Sequence, residues 1–270
     1  MADIDDFAEL GTQVAREAGR LLLDRFHTEL AVSHKGTVNL VTDVDLAAEE
    51  LIVSRIRMAF PTHSILAEER HNEAPSNEGI HWVIDPLDGT TNYAHGYPVF
   101  SVSIGLEISG EVEWGVVFDP VRDELYSARR ASGASCNGVP LCVSKTPSLG
   151  SSLLATGFPY DIQVSQENNL DNFCGFAVRV QGVRRAGSAA LDLCYVAAGR
   201  FDGFWEFKLK PWDCAAGSLV VREAGGVVTS FNGGPLSIYK GEVVASNGLI
   251  HQEMLDVLKE IQNSKLKSEN

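Results

Sequence analysis

Apolar residues at the start of the chain recur at spacings of three and four: Ile4, Phe7, Leu10, Val14, Ala18, Leu21 and Leu22 form one stripe. That period predicts an amphipathic helix of about six turns. A second helical pattern runs from about Asp45, in the position of a cap, to Phe60, with Ile52, Ile56 and Phe60 on one face and Pro61 as the stop. The period then changes. Residues 64–67 and 81–84 are short apolar runs, and Phe100, Val102, Ile104 and Leu106 alternate with small or polar residues as a half-buried strand does. Gly110 separates that strand from another at 112–118, and Asp119-Pro120 turns the chain again. The first half predicts helices over an antiparallel-rich sheet.

Asn137-Gly138 signals a turn, and residues 147–150 form the best boundary. Two units are expected: 1–146, helices and sheet carrying most of the acidic candidates, and 147–270, an α/β unit supplying Asp213 and a substrate pocket. Within the second, strands are expected at 153–157, 203–206, 226–229 and 242–245, and helices at 168–180, 189–198, 214–223 and 252–261. The polar tail after Gln262 reads as frayed. Helix and sheet alternate in layers, an α+β architecture.

With 270 residues and about 150 per domain, the chain amounts to one large domain or two closely packed ones. Its five cysteines include no C-x-x-C pair, which argues against a disulfide framework or a zinc knuckle and favours a reducing compartment. No apolar run approaches the roughly 18 residues of a membrane span, and residues 1–6 are acidic rather than a basic leader. A cytoplasmic address without a membrane partner is expected. Lys and Arg number 22 against 36 Asp and Glu, a formal charge of −14. Such a field disfavours direct contact with nucleic acid. An anionic small substrate would need cations or a helix N-terminus to enter.

The segment most informative about chemistry is Trp82-Val83-Ile84-Asp85-Pro86-Leu87-Asp88-Gly89-Thr90-Thr91-Asn92. An apolar run ends in two carboxylates three residues apart, and Gly89-Thr90-Thr91 supplies free backbone N–H groups at what reads as a short helix start. Two ionised carboxylates about 4 Å apart repel by roughly 4 kcal/mol at an effective dielectric of 20, so such a pair either protonates or holds a cation. Oxygen-only donors favour Mg²⁺. Glu68-Glu69, Asp43 with Asp45, and Asp213 also stand at element ends. Each has a plainer reading: D-x-x-D-G is common loop chemistry, and Asp45 and Asp213 could be N-caps.

Taken together, Leu40-Val41-Thr42 with Asp45, Ala67-Glu68-Glu69, residues 82–92, Gly187-Ser188-Ala189-Ala190, and Trp212-Asp213 with Ala216-Gly217 follow an order and spacing that resembles the inositol monophosphatase family, in its bacterial branch, over nearly the whole chain. The resemblance implies a layered α-β-α-β-α sandwich of the inositol monophosphatase and fructose-1,6-bisphosphatase type. It implies two to three Mg²⁺ per site: one on Glu68, Asp85 and the Leu87 carbonyl, a second on Asp85, Asp88 and Asp213, and a weaker third leaning on Glu68 and waters. Gly89 and Thr90 would present N–H groups to a phosphate, and Asp45 would accept the Thr90 hydroxyl to orient the attacking water. Gly187, Ser188 and Ala189 would wall the pocket, and Glu206 would meet polyol hydroxyls.

The implied reaction is hydrolysis of a phosphorylated polyol, foremost myo-inositol 1-phosphate, by metal-activated water without a phosphoenzyme. Lithium sensitivity, a homodimer and a protein partner in transcription are further implications. Lys35 matches a family lysine, Arg184 would reach across a dimer partner, and Gly105 and Trp114 are offered for the dimer surface.

Alternatives within the superfamily are fructose 1,6-bisphosphate, histidinol phosphate and a 3′-phosphonucleotide. For a bisphosphate, the clustered cations Arg184, Arg185, Lys208 and Lys210 are the candidates. A different chemistry would use Asp43 as an aspartyl nucleophile. The seven histidines lack metal-ligand spacing and read as surface or loop residues, His95 being nearest the candidate site, and Cys214 reads as a small helix residue.

Overall fold

The computed structural model describes the backbone of residues 3–28, 31–34, 40–71 and 79–268, and the side chains of 3–28, 31–33, 40–71 and 79–264. Lys35 lies outside the described residues. The chain runs α1 (Ile4–Arg25), a ribbon of β1 (Val32–His34) and β2 (Leu40–Thr42), α2 (Asp43–Ala59), β3 (Ser64–Ala67), β4 (Ile80–Asp88) and α3 (Thr90–Ala94). A meander follows, β5 (Ser101–Ile108), β6 (Glu111–Asp119), β7 (Glu124–Arg129), β8 (Gly133–Cys136) and β9 (Val139–Pro140). Then come β10 (Leu153–Thr156), α4 (Leu170–Ala177), β11 (Gly182–Arg184), α5 (Ala189–Ala197), β12 (Gly203–Glu206), α6 (Pro211–Glu223), β13 (Val227–Thr229), β14 (Val243–Ser246) and α7 (His251–Ser268).

Strands β3 to β9 form a seven-stranded sheet in sequence order, and β11-β10-β12-β14-β13 form a five-stranded one. The pair β3–β4 is parallel, as are β10–β11 and β10–β12; the other pairs in the two sheets are antiparallel. Side chains that alternate along the strands build three cores. Trp82, Ile84, Ile104 and Val116 pack with Val14, Leu22, Ile52 and Ile56 of α1 and α2. Val83 and Val117, pointing the other way, join Leu193 of α5, Leu219 of α6, and Ala155, Phe204 and Ala245 of the second sheet. Leu154, Trp205 and Val244 face outward onto Phe176 of α4 and Met254 of α7. The layers are therefore α1/α2, sheet, α5/α6, sheet, α4/α7, the α-β-α-β-α sandwich expected.

Local signals explain the helix starts. Asp3 caps α1 by accepting from the N–H groups of Asp5 and Asp6, and the Asp6 carboxylate accepts from Asp3 in return. The cap of α2 is Thr42, not Asp45. Thr42 is extended and its hydroxyl accepts from Val44 and Asp45, while Asp45, third in the helix, accepts the Thr42 N–H at 2.9 Å. Likewise α6 begins at Pro211, whose missing N–H is harmless in a first turn, so Asp213 lies inside the helix rather than ahead of it.

Other expectations are corrected. The buried face of α1 includes Gly11, Ala15 and Gly19, with Leu10 and Leu21 only half-buried, because the bare glycines let Trp114 and Phe118 of the sheet come against the helix. Gly105 and Trp114 are buried within the chain, Gly105 beneath Ala215 of α6 and Trp114 beneath α1, and cannot supply a dimer surface. The tail past Gln262 continues α7 to Ser268, since Ser, Lys and Leu offer no helix breaker. Several histidines are structural: His81 is buried on β4, His251 bridges the hydroxyls of Thr229 and Ser246 at 2.9 Å each, and His63 takes the Trp82 indole N–H.

Candidate active site

Residues three apart on a regular strand face opposite sides of a sheet. Strand β4 breaks that rule: Asp85 pairs with Ser103 and Asp88 with Ser101, so β4 carries one extra residue against β5. The bulge falls at Pro86, which has no N–H to give the ladder. It lets Asp85 and Asp88 line the same cavity, a space of about 230 Å³ between the two sheets. Glu68, just past the parallel neighbour β3, lines it as well, and the first turn of α6 adds Asp213.

Each of the three aspartates is held through one oxygen. The N–H of Leu87 donates to Asp85 Oδ1 at 3.0 Å. Asp88 Oδ2 accepts from the Ser188 hydroxyl at 2.6 Å and the Ala190 N–H at 2.8 Å, which makes it a cap for α5 from 100 residues away. Asp213 Oδ2 accepts from the N–H of Lys210 at 2.6 Å. Burial, with the charge of Glu68 and then of the other two aspartates, pushes Asp85 well above the usual carboxylate range. Asp213 is driven the same way by burial and Glu68, against the bond from Lys210. Burial raises Asp88 to about 6 despite its bonds to Ser188 and Ala190.

Gly89 begins α3 with φ 99°, a left-handed conformation in which a Cβ would stand 2.9 Å from the Val99 carbonyl, so glycine is required there. The first N–H groups of α3 lack intrahelical partners and open on the cavity beside Asp88. Thr90 Oγ lies 2.9 Å from Asp45 Oδ1 and 3.0 Å from the Leu87 carbonyl. Asn92 secures this turn against the second half of the chain, donating to the carbonyls of Val99 and Ala186 at 2.8 Å.

The opposite wall comes from Gly187, Ser188, Ala189, Asp192 and Glu206. Glu206, at the end of β12, is buried rather than exposed; burial, then the charge of Asp88, raises it to about 8 against the pull of Arg185. Gly157 faces it, and a Cβ there would strike its carboxylate.

The cavity thus gathers Glu68, Asp85, Leu87, Asp88, Gly89, Thr90, Gly187, Ser188, Ala189, Glu206 and Asp213, with Asp45 one hydrogen bond behind. Three expected contributors are elsewhere. Asp43 is tied to Arg25 at 2.8 Å, outside the cavity, so the aspartyl-nucleophile alternative loses its residue. Arg184 is exposed and turns back on the Val183 carbonyl, and His95 is exposed at the far end of α3. Of the clustered cations, Arg185, Lys208 and Lys210 reach the lining, Lys208 paired with Asp161 at 2.7 Å. Asp192 and Tyr160 were missed. For Asp192 the signal was a lone charge within the apolar run 189–198.

Among the described residues no three His, Cys, Asp or Glu side chains close into a preformed metal cage. The four carboxylates instead line an open pocket, and the repulsion by which they raise one another's pKa values suits a cation that completes its coordination with waters. With no His or Cys in the lining, the donors fit a hard divalent ion.

The model of the inositol monophosphatase family matches residues 3–265. The chain is 45% identical over 258 residues to an inositol-1-monophosphatase of Synechocystis, covering 95% of this chain and 90% of the relative. It is 46% identical over 258 residues to the Nus factor SuhB of Pseudomonas aeruginosa, covering 92% and 94%. The inositol monophosphatase structure from Anabaena superposes with a TM-score of 0.87 at 43% identity, covering 96% of this chain and 97% of that one. With a family model spanning all but its ends, and with relatives this similar along their whole length, the chain belongs to the inositol monophosphatase family and is a phosphatase.

Proposed function

We propose that the enzyme hydrolyses the phosphate monoester of a polyol, myo-inositol 1-phosphate foremost, with Mg²⁺ as cofactor and no phosphoenzyme. The observation that carries this is the meeting of Glu68, Asp85, Asp88 and Asp213 in one cavity beside the unpartnered N–H groups of α3. Glu68, Asp85 and the Leu87 carbonyl would hold one ion, Asp85, Asp88 and Asp213 a second, and Glu68 would support a weaker third. Bound Mg²⁺ supplies acidification of the attacking water and neutralisation of charge on phosphoryl and leaving oxygens.

The chain's own groups do the rest. The N–H groups of Gly89 and Thr90 bind the phosphate through the field of the helix start. Asp45 fixes the Thr90 hydroxyl, which orients the attacking water. Gly187, Ser188 and Ala189 leave space for the polyol ring, and Glu206, raised to about 8, is protonated near neutral pH, so its carboxyl both donates to and accepts from adjacent hydroxyls. Neither Ser188 nor Cys214 is placed to accept the phosphoryl group: the Ser188 hydroxyl is committed to Asp88, and the Cys214 thiol is buried outside the cavity lining.

A panel of inositol 1-phosphate, fructose 1,6-bisphosphate, histidinol phosphate and a 3′-phosphonucleotide, with Mg²⁺ and with or without Li⁺, tests the substrate. Inositol 1-phosphate should turn over fastest, with inhibition by Li⁺; preference for another ester overturns the assignment. Asp88→Asn should abolish turnover without unfolding, and wild-type activity in that variant refutes the metal scheme.

A second reading is supported by relatives named Nus factor SuhB: a protein partner in transcription, alongside catalysis. Capture of that partner by Asp88→Asn as efficiently as by the wild type would separate binding from turnover. A homodimer and a cytoplasmic address belong to the same proposal, supported by the resemblance; light scattering tests the dimer. No helix among the described residues is long and apolar enough to cross a membrane.

A further inference from the structure

Among the described residues, Asp192 Oδ1 is the one buried side-chain polar atom without a hydrogen-bond partner. Asp192 is 1% exposed, sits in the first turns of α5 and lines the cavity on the same wall as Glu206. An orphaned carboxyl oxygen at such a depth costs roughly 1–3 kcal/mol, and folds rarely keep one without a use. The helix does not need it: Ser188 already accepts the N–H of Leu191, and Asp88 accepts that of Ala190. Neither does packing need it, because its neighbours on α5 are Leu191, Leu193 and Cys194, all buried and apolar.

What the carboxyl does face is charge and the cavity. Glu206, Asp88 and Arg185 are the ionisable groups that act on it. Glu206 is the residue assigned to substrate hydroxyls above, and Arg185 stands on the same wall. We propose that Asp192 is a second hydroxyl-reading residue, which works beside Glu206 and selects polyol phosphates whose ring or chain carries a further hydroxyl directed at α5. The inference rests on the polyol-phosphatase reading and narrows it: a substrate with a single hydroxyl beyond the ester leaves Asp192 unsatisfied, whereas a cyclic polyol satisfies both carboxyls. Burial and the charge of Glu206 hold Asp192 toward its neutral form, which can donate as well as accept. A pocket that leaves its own polar group unpaired when a hydroxyl is missing discriminates strongly against the deoxy or apolar analogue.

The test compares kcat/KM for inositol 1-phosphate with kcat/KM for phenyl phosphate, an ester with no hydroxyl to read, in wild type, Asp192→Leu and Asp192→Asn, all with Mg²⁺. The ratio should fall at least tenfold in Asp192→Leu, about 1.4 kcal/mol of lost discrimination. In Asp192→Asn, which keeps a donor and an acceptor, most of the ratio should survive. Because Asp192→Leu removes an orphaned carboxyl, its Tm should be no lower than that of the wild type. A ratio within twofold of wild type in Asp192→Leu overturns the inference, as does a lowered Tm with both esters affected alike, the mark of a merely structural residue. A wild-type enzyme that prefers phenyl phosphate sinks the polyol reading itself, a result distinguishable from either.

Discussion

Thr90 and Asp45, 45 residues apart, meet at 2.9 Å beneath the cavity. The other oxygen of Asp45 accepts both the backbone N–H and the hydroxyl of Thr42, so the carboxylate is held from one side and offers Oδ1 to Thr90 from the other. An amide in place of that carboxylate has only one acceptor oxygen and must fail either Thr42 or Thr90. Asp45→Asn is therefore expected to lower kcat by about a hundredfold, the usual scale for a lost proton-handling group. Mg²⁺ binding by calorimetry should stay close to wild type, because Asp45 does not line the cavity. Near-normal kcat would remove Asp45 and Thr90 from the reaction.

Glu68 has its own support. Glu49 of α2 is 1% exposed and accepts the N–H of Glu69 at 2.7 Å and that of Arg70 at 2.8 Å, with His71 Nδ1 2.8 Å from the same oxygen as Arg70. These bonds clamp the turn that carries Glu68. Outer partners of metal ligands commonly matter by 10–100-fold in affinity, and Glu49→Gln keeps only one of two acceptors. The Mg²⁺ concentration for half-maximal activity should rise about tenfold, with the far-ultraviolet circular dichroism unchanged. An unshifted Mg²⁺ titration argues against the clamp.

The middle layer depends on bare backbone. A Cβ on Gly115 of β6 would lie 2.8 Å from the Ala216 Cα, and one on Gly105 would lie 3.0 Å from the Ala215 Cβ. These glycines let α6 rest directly on the sheet, which sets the depth at which Asp213 enters the cavity. Gly115→Ala must push the helix away against backbone rather than a pliant side chain. A loss of about 1–3 kcal/mol in urea unfolding is expected, the cost of overpacking. Weaker Mg²⁺ binding should accompany it; full stability would mean that α6 can shift freely.

The sequence carried the helical stripe of α1, the runs that became β3 to β6, and the acidic residues at their ends, because hydrophobic periodicity and strand-end chemistry are local. It hid what depends on contacts between distant segments. Pro86 permits the bulge that turns Asp85 and Asp88 to one side, but the register that creates it is set by the β5 partner. Strands β7 to β9 went unread because Glu124, Ser127 and Arg129 interrupt the apolar signal, while their ladder is set by β6. Gly105 and Trp114 suggested an outer face only until α6 and α1 were laid on them. Asp45 and Asp213 are each third in a helix and accept the N–H of the residue that does cap it, Thr42 and Lys210, so the sequence placed them at the right helix starts but misassigned the cap.

The carboxylates also set how stability depends on pH without metal. Glu206 is raised from 4.5 to about 8, Asp88 from 3.8 to about 6, and Asp85 and Asp213 also lie well above their ordinary values. In the folded chain these groups retain protons that the unfolded chain has released, so stability must fall as pH rises across that interval. Their contribution is fully present below about pH 4 and lost as pH rises through the folded values, which are about 6 for Asp88 and about 8 for Glu206. In EDTA, Tm should drop by about 5 °C or more between pH 5.5 and 8.5, using roughly 2–4 °C per kcal/mol for a chain of this class. Mg²⁺ should flatten most of that fall by taking the place of protons on the aspartates. Glu206→Gln should lessen the fall around pH 8, because its amide does not titrate. A metal-free Tm that holds level or climbs over this range would mean that the cavity's carboxylates are already charged and compensated, and the case for a cation among them would lose its electrostatic ground.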